Sequence, residues 1–269
     1  TFSKSKKHVL KMVLKNHIII KNKHILVGLV FCCFSCKDNF HLNKIEASRL
    51  EINSQIKEDS LINNFIEPYR LDVNKNLDSV LAFSIDTYSK NDGELNTAIG
   101  NLMADAVLKE SNPVFKSKTQ ESIDFVLLNH GGIRSVLPKG PITARSAYQL
   151  MPFENSVVVA KLKGVVIKEL VNYLRNAKRA HPISGLTIKV DTDYQLLEAQ
   201  INGEFINDEH YYNVATNDYL YNGGDNMSFF QKSDTLHILN YKIRNILIDY
   251  FSKNDTIRPM IDQRFIRIN

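Results

Sequence analysis

The sequence predicts an α+β fold, a mixed-sheet αβ sandwich. Helix-length and strand-length patterns follow one another without a regular βα rhythm. The run Asp124-Phe125-Val126-Leu127-Leu128 is continuously apolar after its first residue, as a strand buried on both faces is. Of 269 residues, 43% are hydrophobic and 23% charged, which is enough for a packed core. With 11 Gly and 7 Pro, collagen-like and low-complexity readings fail.

The first segment in chain order is not part of that core. Residues 1–35 carry seven lysines and no acid. The chain opens on Thr1, and Met12 is the expected natural start. From Met12 a lysine-bearing stretch precedes the apolar run Ile25 to Phe34, too short for a stable bilayer span and suited to a signal peptide. Phe34-Ser35-Cys36 resembles a bacterial lipoprotein box, with Cys36 the lipidated residue of the mature chain. Loss of residues 1–35 turns the formal charge of +5 into −2, because 27 basic residues then face 29 acidic ones. The electrostatic footprint for nucleic acid leaves with the signal. Cys32 and Cys33 leave too, so neither a disulfide nor a Cys-ligated zinc site is expected. Residues 36–59 are expected to hold the lipidated cysteine, a polar tether and a first strand, read from the loose alternation of Leu42, Ile45, Leu50, Ile52 and Ile56.

The domain proper is expected over residues 60–269. Ser60 starts a capped helix through Leu61, Ile62, Phe65 and Ile66, interrupted at Pro68-Tyr69 and resumed through Leu81. Phe83, Ile85 and Thr87 alternate as a strand. Asn96 and Thr97 are capping candidates for a helix whose face carries Ile99, Leu102, Met103, Ala106 and Val107. After the 124–128 strand come a helix at 143–150, a strand at 157–162 and a helix at 164–175. Strands follow at 186–190 and 211–216, then a helix at 241–251 and a closing strand at 264–268.

Two glycine turns follow buried-looking strands. In Asn129-His130-Gly131-Gly132-Ile133-Arg134 the glycines allow close backbone approach to a ligand, flanked by Asn129 and Arg134. Arginine offers a planar fork of donors to phosphate, carboxylate or ribose oxygens. In Tyr219-Leu220-Tyr221-Asn222-Gly223-Gly224-Asp225 an aromatic precedes the turn and a carboxylate follows it. An ionised Asp only accepts hydrogen bonds, which suits a vicinal diol. Tyr219 and Phe153 would sandwich a planar base. Singly, each feature has a plainer reading: a Gly-Gly pair as a mere turn, the aromatics as core, Arg134 as a surface ion pair. Spacing alone yields a small-molecule pocket of unstated chemistry.

The order of segments narrows this. Gly100-Asn101-Leu102-Met103-Ala104-Asp105-Ala106 is followed by the first glycine turn, Pro141-Ile142-Thr143, Met151-Pro152-Phe153-Glu154-Asn155 and Lys161-Leu162-Lys163-Gly164. Then come Ile183-Ser184-Gly185-Leu186, Tyr212-Asn213-Val214-Ala215-Thr216-Asn217, the second glycine turn and Asp262-Gln263-Arg264-Phe265. In this order the chain closely resembles the C-terminal, substrate-binding domain of the 5′-nucleotidase family, which includes periplasmic UDP-sugar hydrolases. The resemblance spans roughly residues 60–269. It implies that Phe153 and Tyr219 stack on the base and Asp225 binds ribose hydroxyls. It further implies that Asn129 and Arg134 contact base and ribose or phosphate, with Gly131, Gly132, Asn222, Gly223 and Gly224 completing the site. Many family members carry a further substrate-binding arginine just before the Gly-Asn helix. Here Gly93-Glu94-Leu95-Asn96-Thr97 has none, and Lys90 is the nearest cation.

Catalysis in the family belongs to an N-terminal metallophosphatase domain with two divalent metals, and residues before 60 do not supply one. Asp208-Glu209-His210, Gly224-Asp225 and Asn129-His130 imitate its motifs in the wrong order. The five histidines after residue 35 (His41, His130, His181, His210 and His237) are unpaired in sequence, so no metal or other cofactor is expected in this chain. The leading expectation is a lipid-anchored nucleotide-recognition half of a split 5′-nucleotidase in the bacterial envelope, partnered by a separately encoded metallophosphoesterase. The alternative is a non-catalytic lipoprotein that binds or senses nucleosides.

Overall fold

The computed structural model describes residues 42–268, which fall into two units dividing between Glu58 and Asp59. The expected signal peptide and the lipidation site Cys36 lie outside the described residues. Residues 42–58 form no strand; they are exposed, with a single turn at 54–56. The expected first strand is therefore corrected. Alternation there is real, but Leu42, Ile45, Leu50 and Ile52 are exposed and pair with no neighbouring strand, and a strand exists only as part of a ladder.

The second unit opens with α1 (Ser60–Leu77). Its N-cap is Asp59, one residue earlier than expected, whose carboxylate accepts from the N–H groups of Leu61 and Ile62 at 2.9 and 3.2 Å. The helix runs unbroken through Pro68. Proline removes one internal hydrogen bond, but Asn64, whose carbonyl loses that donor, is exposed and can turn to water. No residue of α1 is buried. β1 (Val80–Ser84) begins earlier than the expected 83–87 strand and lies between β3 (Gly140–Thr143) and β11 (Thr256–Ile257) in a three-stranded sheet.

The centre of the domain is a five-stranded mixed sheet in the order β10-β4-β9-β2-β5. Its strands are β2 (Phe125–Leu127), β4 (Ser156–Lys163), β5 (Ile183–Ser184), β9 (Tyr211–Asn217) and β10 (Thr235–Lys242). Alternate residues feed two cores. Val126, Val157, Val159 and Ala215 face one that includes α2 (Ala98–Thr119) and α6 (Ile243–Ser252). Phe125, Leu127, Ala160, Leu162 and Val214 face the other, with α4 (Gly164–Ala177). Burial on both faces is why the 125–127 strand reads as a continuous apolar run. A four-stranded sheet, β12-β6-β7-β8, completes the unit: β6 (Leu186–Val190), β7 (Leu196–Ile201), β8 (Glu204–Phe205) and β12 (Phe265–Arg267). The fold is the α+β, mixed-sheet type that the sequence predicts.

This topology sends three loops to one edge. β2 and β9 are parallel neighbours, with Phe125 opposite Val214 and Val126 opposite Ala215, so the chain leaves both at the same end. β4 is antiparallel to β9, with Val157 opposite Asn217, so the loop entering β4 lies at that end as well. The short α3 (Ala144–Leu150), closed by a Thr143–Ser146 capping box, delivers the chain to this third loop.

Candidate functional site

At that edge lies a cavity of about 300 Å³ lined by Asn129, Gly131, Gly132, Arg134, Met151, Phe153, Asn155, Tyr219 and Asp225. Seven of these are residues singled out in the sequence. Met151 and Asn155 were not, although both stand in the quoted Met-Pro-Phe-Glu-Asn segment; a polar residue two places beyond a candidate platform was the available signal. Phe153 and Tyr219 are 41% and 45% exposed, values high for aromatics with only a packing role.

Each aromatic is held from behind. Tyr219 lies in the one-turn helix α5 (Asp218–Tyr221), capped by Asn217, whose side chain accepts from the Leu220 N–H at 2.8 Å. Its ring rests on Gly224, where an added Cβ would lie 2.5 Å from ring carbons. Gly223 has φ +90°, a conformation glycine adopts without strain, and it bends the chain back under the ring. Asn222 does not line the cavity: its side chain folds back to donate to the Asp218 carbonyl at 2.8 Å. Thus Asn222 and Gly223 shape the turn rather than the cavity wall.

The Phe153 loop is fixed by Arg244, which is 5% exposed and stacks 4.1 Å over the Tyr148 ring. Its guanidinium donates to the Pro152 carbonyl at 3.5 Å and pairs with Glu154. Lys242 and Arg244, both bonded to Glu154, pull its carboxyl down to about 2. Asp218 ties the loop to Tyr219: it accepts from the Asn155 side chain at 2.8 Å, from the Ser156 N–H at 3.2 Å and from the Tyr219 N–H at 2.8 Å. The Arg134 guanidinium lies 5.6 Å from the Phe153 ring centroid and donates to the Gly131 carbonyl at 3.5 Å.

Asp225 is the anchored acceptor of the site. It has φ +52°, unusual for a residue with a Cβ. The Asn129 amide donates to Oδ2 and the Tyr219 hydroxyl to Oδ1, each at 2.9 Å, while the Tyr173 hydroxyl donates to its carbonyl at 2.7 Å. An ionised carboxylate has about four lone-pair positions, so two remain free to accept from a ligand. Lys90, the cation nearest the missing arginine, donates instead to the Ile133 carbonyl at 3.0 Å, bracing the first glycine turn. Among the described residues no group of three or more His, Cys, Asp or Glu is placed to hold a metal ion.

The family model described as the 5′-nucleotidase C-terminal domain matches residues 75–232. The chain belongs to that family. Similar curated proteins include the trifunctional nucleotide phosphoesterase protein YfkN of Bacillus subtilis, 31% identical over 183 residues, which covers 62% of this chain and 12% of that protein. Protein UshA of Salmonella pullorum is 33% identical over 108 residues, covering 38% of this chain and 19% of that one. Among solved structures, the 5′-nucleotidase precursor of Thermus thermophilus superposes with a TM-score of 0.65 at 24% identity, over 79% of this chain and 44% of its own. A putative 5′-nucleotidase from Staphylococcus aureus gives 0.62 at 16% identity, over 80% and 45%. The two structural likenesses bear on fold. The matches span less than half the length of each of these proteins.

Proposed function

We propose that this chain is the nucleotide- or nucleoside-recognition part of a 5′-nucleotidase system in nucleotide catabolism. The observation that carries the reading is one cavity that joins two exposed aromatics, Phe153 and Tyr219, to a preorganised carboxylate with free lone pairs, Asp225. A planar base suits the rings, and a ribose diol suits the acceptor. Arg134 supplies a cation at the rim for phosphate. In this reading hydrolysis falls to a metallophosphoesterase partner, whose two divalent metals would activate the attacking water. The lipoprotein-like box at Cys36 supports a lipid-anchored position in the bacterial envelope.

Calorimetric titration of the full-length chain with adenosine and AMP, with an AMP hydrolysis assay alongside, tests this. Saturable binding without phosphate release is expected from the chain alone, and turnover once the partner is added. Phe153→Ala removes one stacking surface, worth about 1–3 kcal/mol, or roughly ten- to hundredfold in Kd. Asp225→Ala removes a charged acceptor worth a similar amount. Affinity unchanged in both variants would refute the assignment.

A further inference from the structure

Helix α1 presents its two sides the wrong way round. At about 100° per residue, Leu61, Ile62, Phe65, Ile66, Tyr69 and Val73 fall within an arc of roughly 140°. These six side chains are 39% to 80% exposed. Phe65 and Tyr69 stand together on the stripe, ring centroids 6.0 Å apart. Asn74 and the C-cap Asp78 lie on nearly the opposite side, and they hold the helix to α3. The Arg145 guanidinium donates to Asn74 at 2.9 Å and to the two Asp78 carboxylate oxygens at 2.6 and 3.0 Å. The polar side therefore faces the domain and the apolar stripe faces away. A helix in water draws most of its stability from burying its apolar face. α1 carries Pro68 and four asparagines (Asn63, Asn64, Asn74 and Asn76), all poor helix formers, and buries no residue against the described part of the chain. Its stripe needs a cover.

Size and charge separate the possible covers. An 18-residue helix is about 27 Å long, so two copies of α1 laid together would bury roughly 300 Å² a side. A stable interface needs about 800 Å² a side. A lipid surface favours a helix with a basic polar face, whereas α1 balances Glu67 and Asp72 against Arg70 and Lys75. A separate chain that must also reach the nucleotide cavity has the larger area available. From α1 the surface continues onto α3, whose exposed Tyr148 stacks on Arg244, the residue that fixes the Phe153 loop. A body seated on α1 and α3 stands beside that loop. α1 also opens the unit, spanning 60–77 where the family match begins at residue 75. The matched domain is C-terminal by its description, and more than half of each relative's chain lies outside the match. α1 is thus the element nearest the part that precedes this domain in such proteins.

We propose that the outward face of α1 is the docking surface for the metallophosphoesterase partner. The inference rests on the two-chain reading of function. A helix laid by its apolar face into a partner's groove is recognised through anchors spaced three to four residues apart. Ile62, Phe65 or Ile66, Tyr69 and Val73 have that spacing. Phe65 and Tyr69 are the expected anchors, because buried aromatics carry a large share of binding energy at an interface.

The full-length chain, affinity-tagged and produced in its native cell, is purified and assayed for AMP hydrolysis that EDTA abolishes. The wild type is expected to retain such activity. The pair Phe65→Gln/Tyr69→Gln and, independently, the pair Leu61→Gln/Ile62→Gln are expected to retain at least tenfold less. Phe205→Gln, at an exposed aromatic on β8, is expected to retain as much as the wild type. Adenosine affinity and melting temperature are expected to stay unchanged in every variant, since these side chains are exposed and outside the cavity. A photoreactive benzophenone amino acid in place of Phe65 is expected to crosslink the chain to the polypeptide that carries the activity. Activity retained equally by both stripe variants would overturn the docking surface and leave the two-chain reading standing. So would a crosslink to a second copy of this chain, to lipid, or to a polypeptide without the activity. No retained activity in the wild type, while adenosine still binds, would overturn the two-chain reading and this surface with it.

Discussion

Gly224 shows how one missing side chain positions another. The Tyr219 ring occupies the space where a Cβ would stand, so Gly224 sets the height of the ring at the cavity. The backbone of Gly224 does not itself demand glycine, since its φ is not positive. Gly224→Ala should therefore leave the melting temperature within a few degrees of the wild type and yet weaken adenosine binding about tenfold or more by displacing the ring. Unchanged calorimetric affinity would show that Tyr219 is not a stacking platform. At this scale the sequence was informative wherever a residue type has few uses: an exposed aromatic beside a glycine turn, or a carboxylate after it. It was silent where the role depends on partners distant in sequence. Arg244 fixes the Phe153 loop from 90 residues away, and Tyr173 anchors Asp225 from 52.

Elements were legible where burial imposes a period. The helix at 164–177 and the strand at 186–190 carry clear patterns and lie close to where they are expected. β10 carries none: its ladder shifts between Ile238 and Lys242, Asn240 has φ +56°, and burial along it does not alternate. The sequence expectation places Tyr241 and Lys242 in the following helix, which starts at Ile243. β7 is partly exposed for most of its length and offers no period either. One buried side chain makes several of the contacts that hold the C-terminal segment. Buried Asn96 donates to the carbonyls of Asp262 and Phe265 at 3.1 and 2.9 Å and accepts from the Asn101 amide and the Asp262 N–H at 3.1 and 3.3 Å. Asn96→Ala leaves these groups without that partner and should cost about 3 kcal/mol in urea unfolding. A loss below about 0.5 kcal/mol would show that water or a neighbour replaces it.

Across the whole domain, the site follows from strand direction more than from any one motif. Parallel β2 and β9 and antiparallel β4 bring residues 129–134, 151–155 and 219–225 to one edge of the central sheet. Neither the pairing nor its direction is visible in composition or periodicity, since three buried strands can be ordered in several ways. The family resemblance implied a joint site without giving that order; the residues alone supplied only two glycine turns and two aromatics. The central claim is that this edge holds a nucleoside between Phe153 and Tyr219. A crystal structure of the chain with adenosine tests it most directly. The account predicts the adenine ring between those two side chains and both ribose hydroxyls within about 3 Å of the Asp225 carboxylate. Adenosine bound elsewhere, with this cavity holding only water, would contradict it.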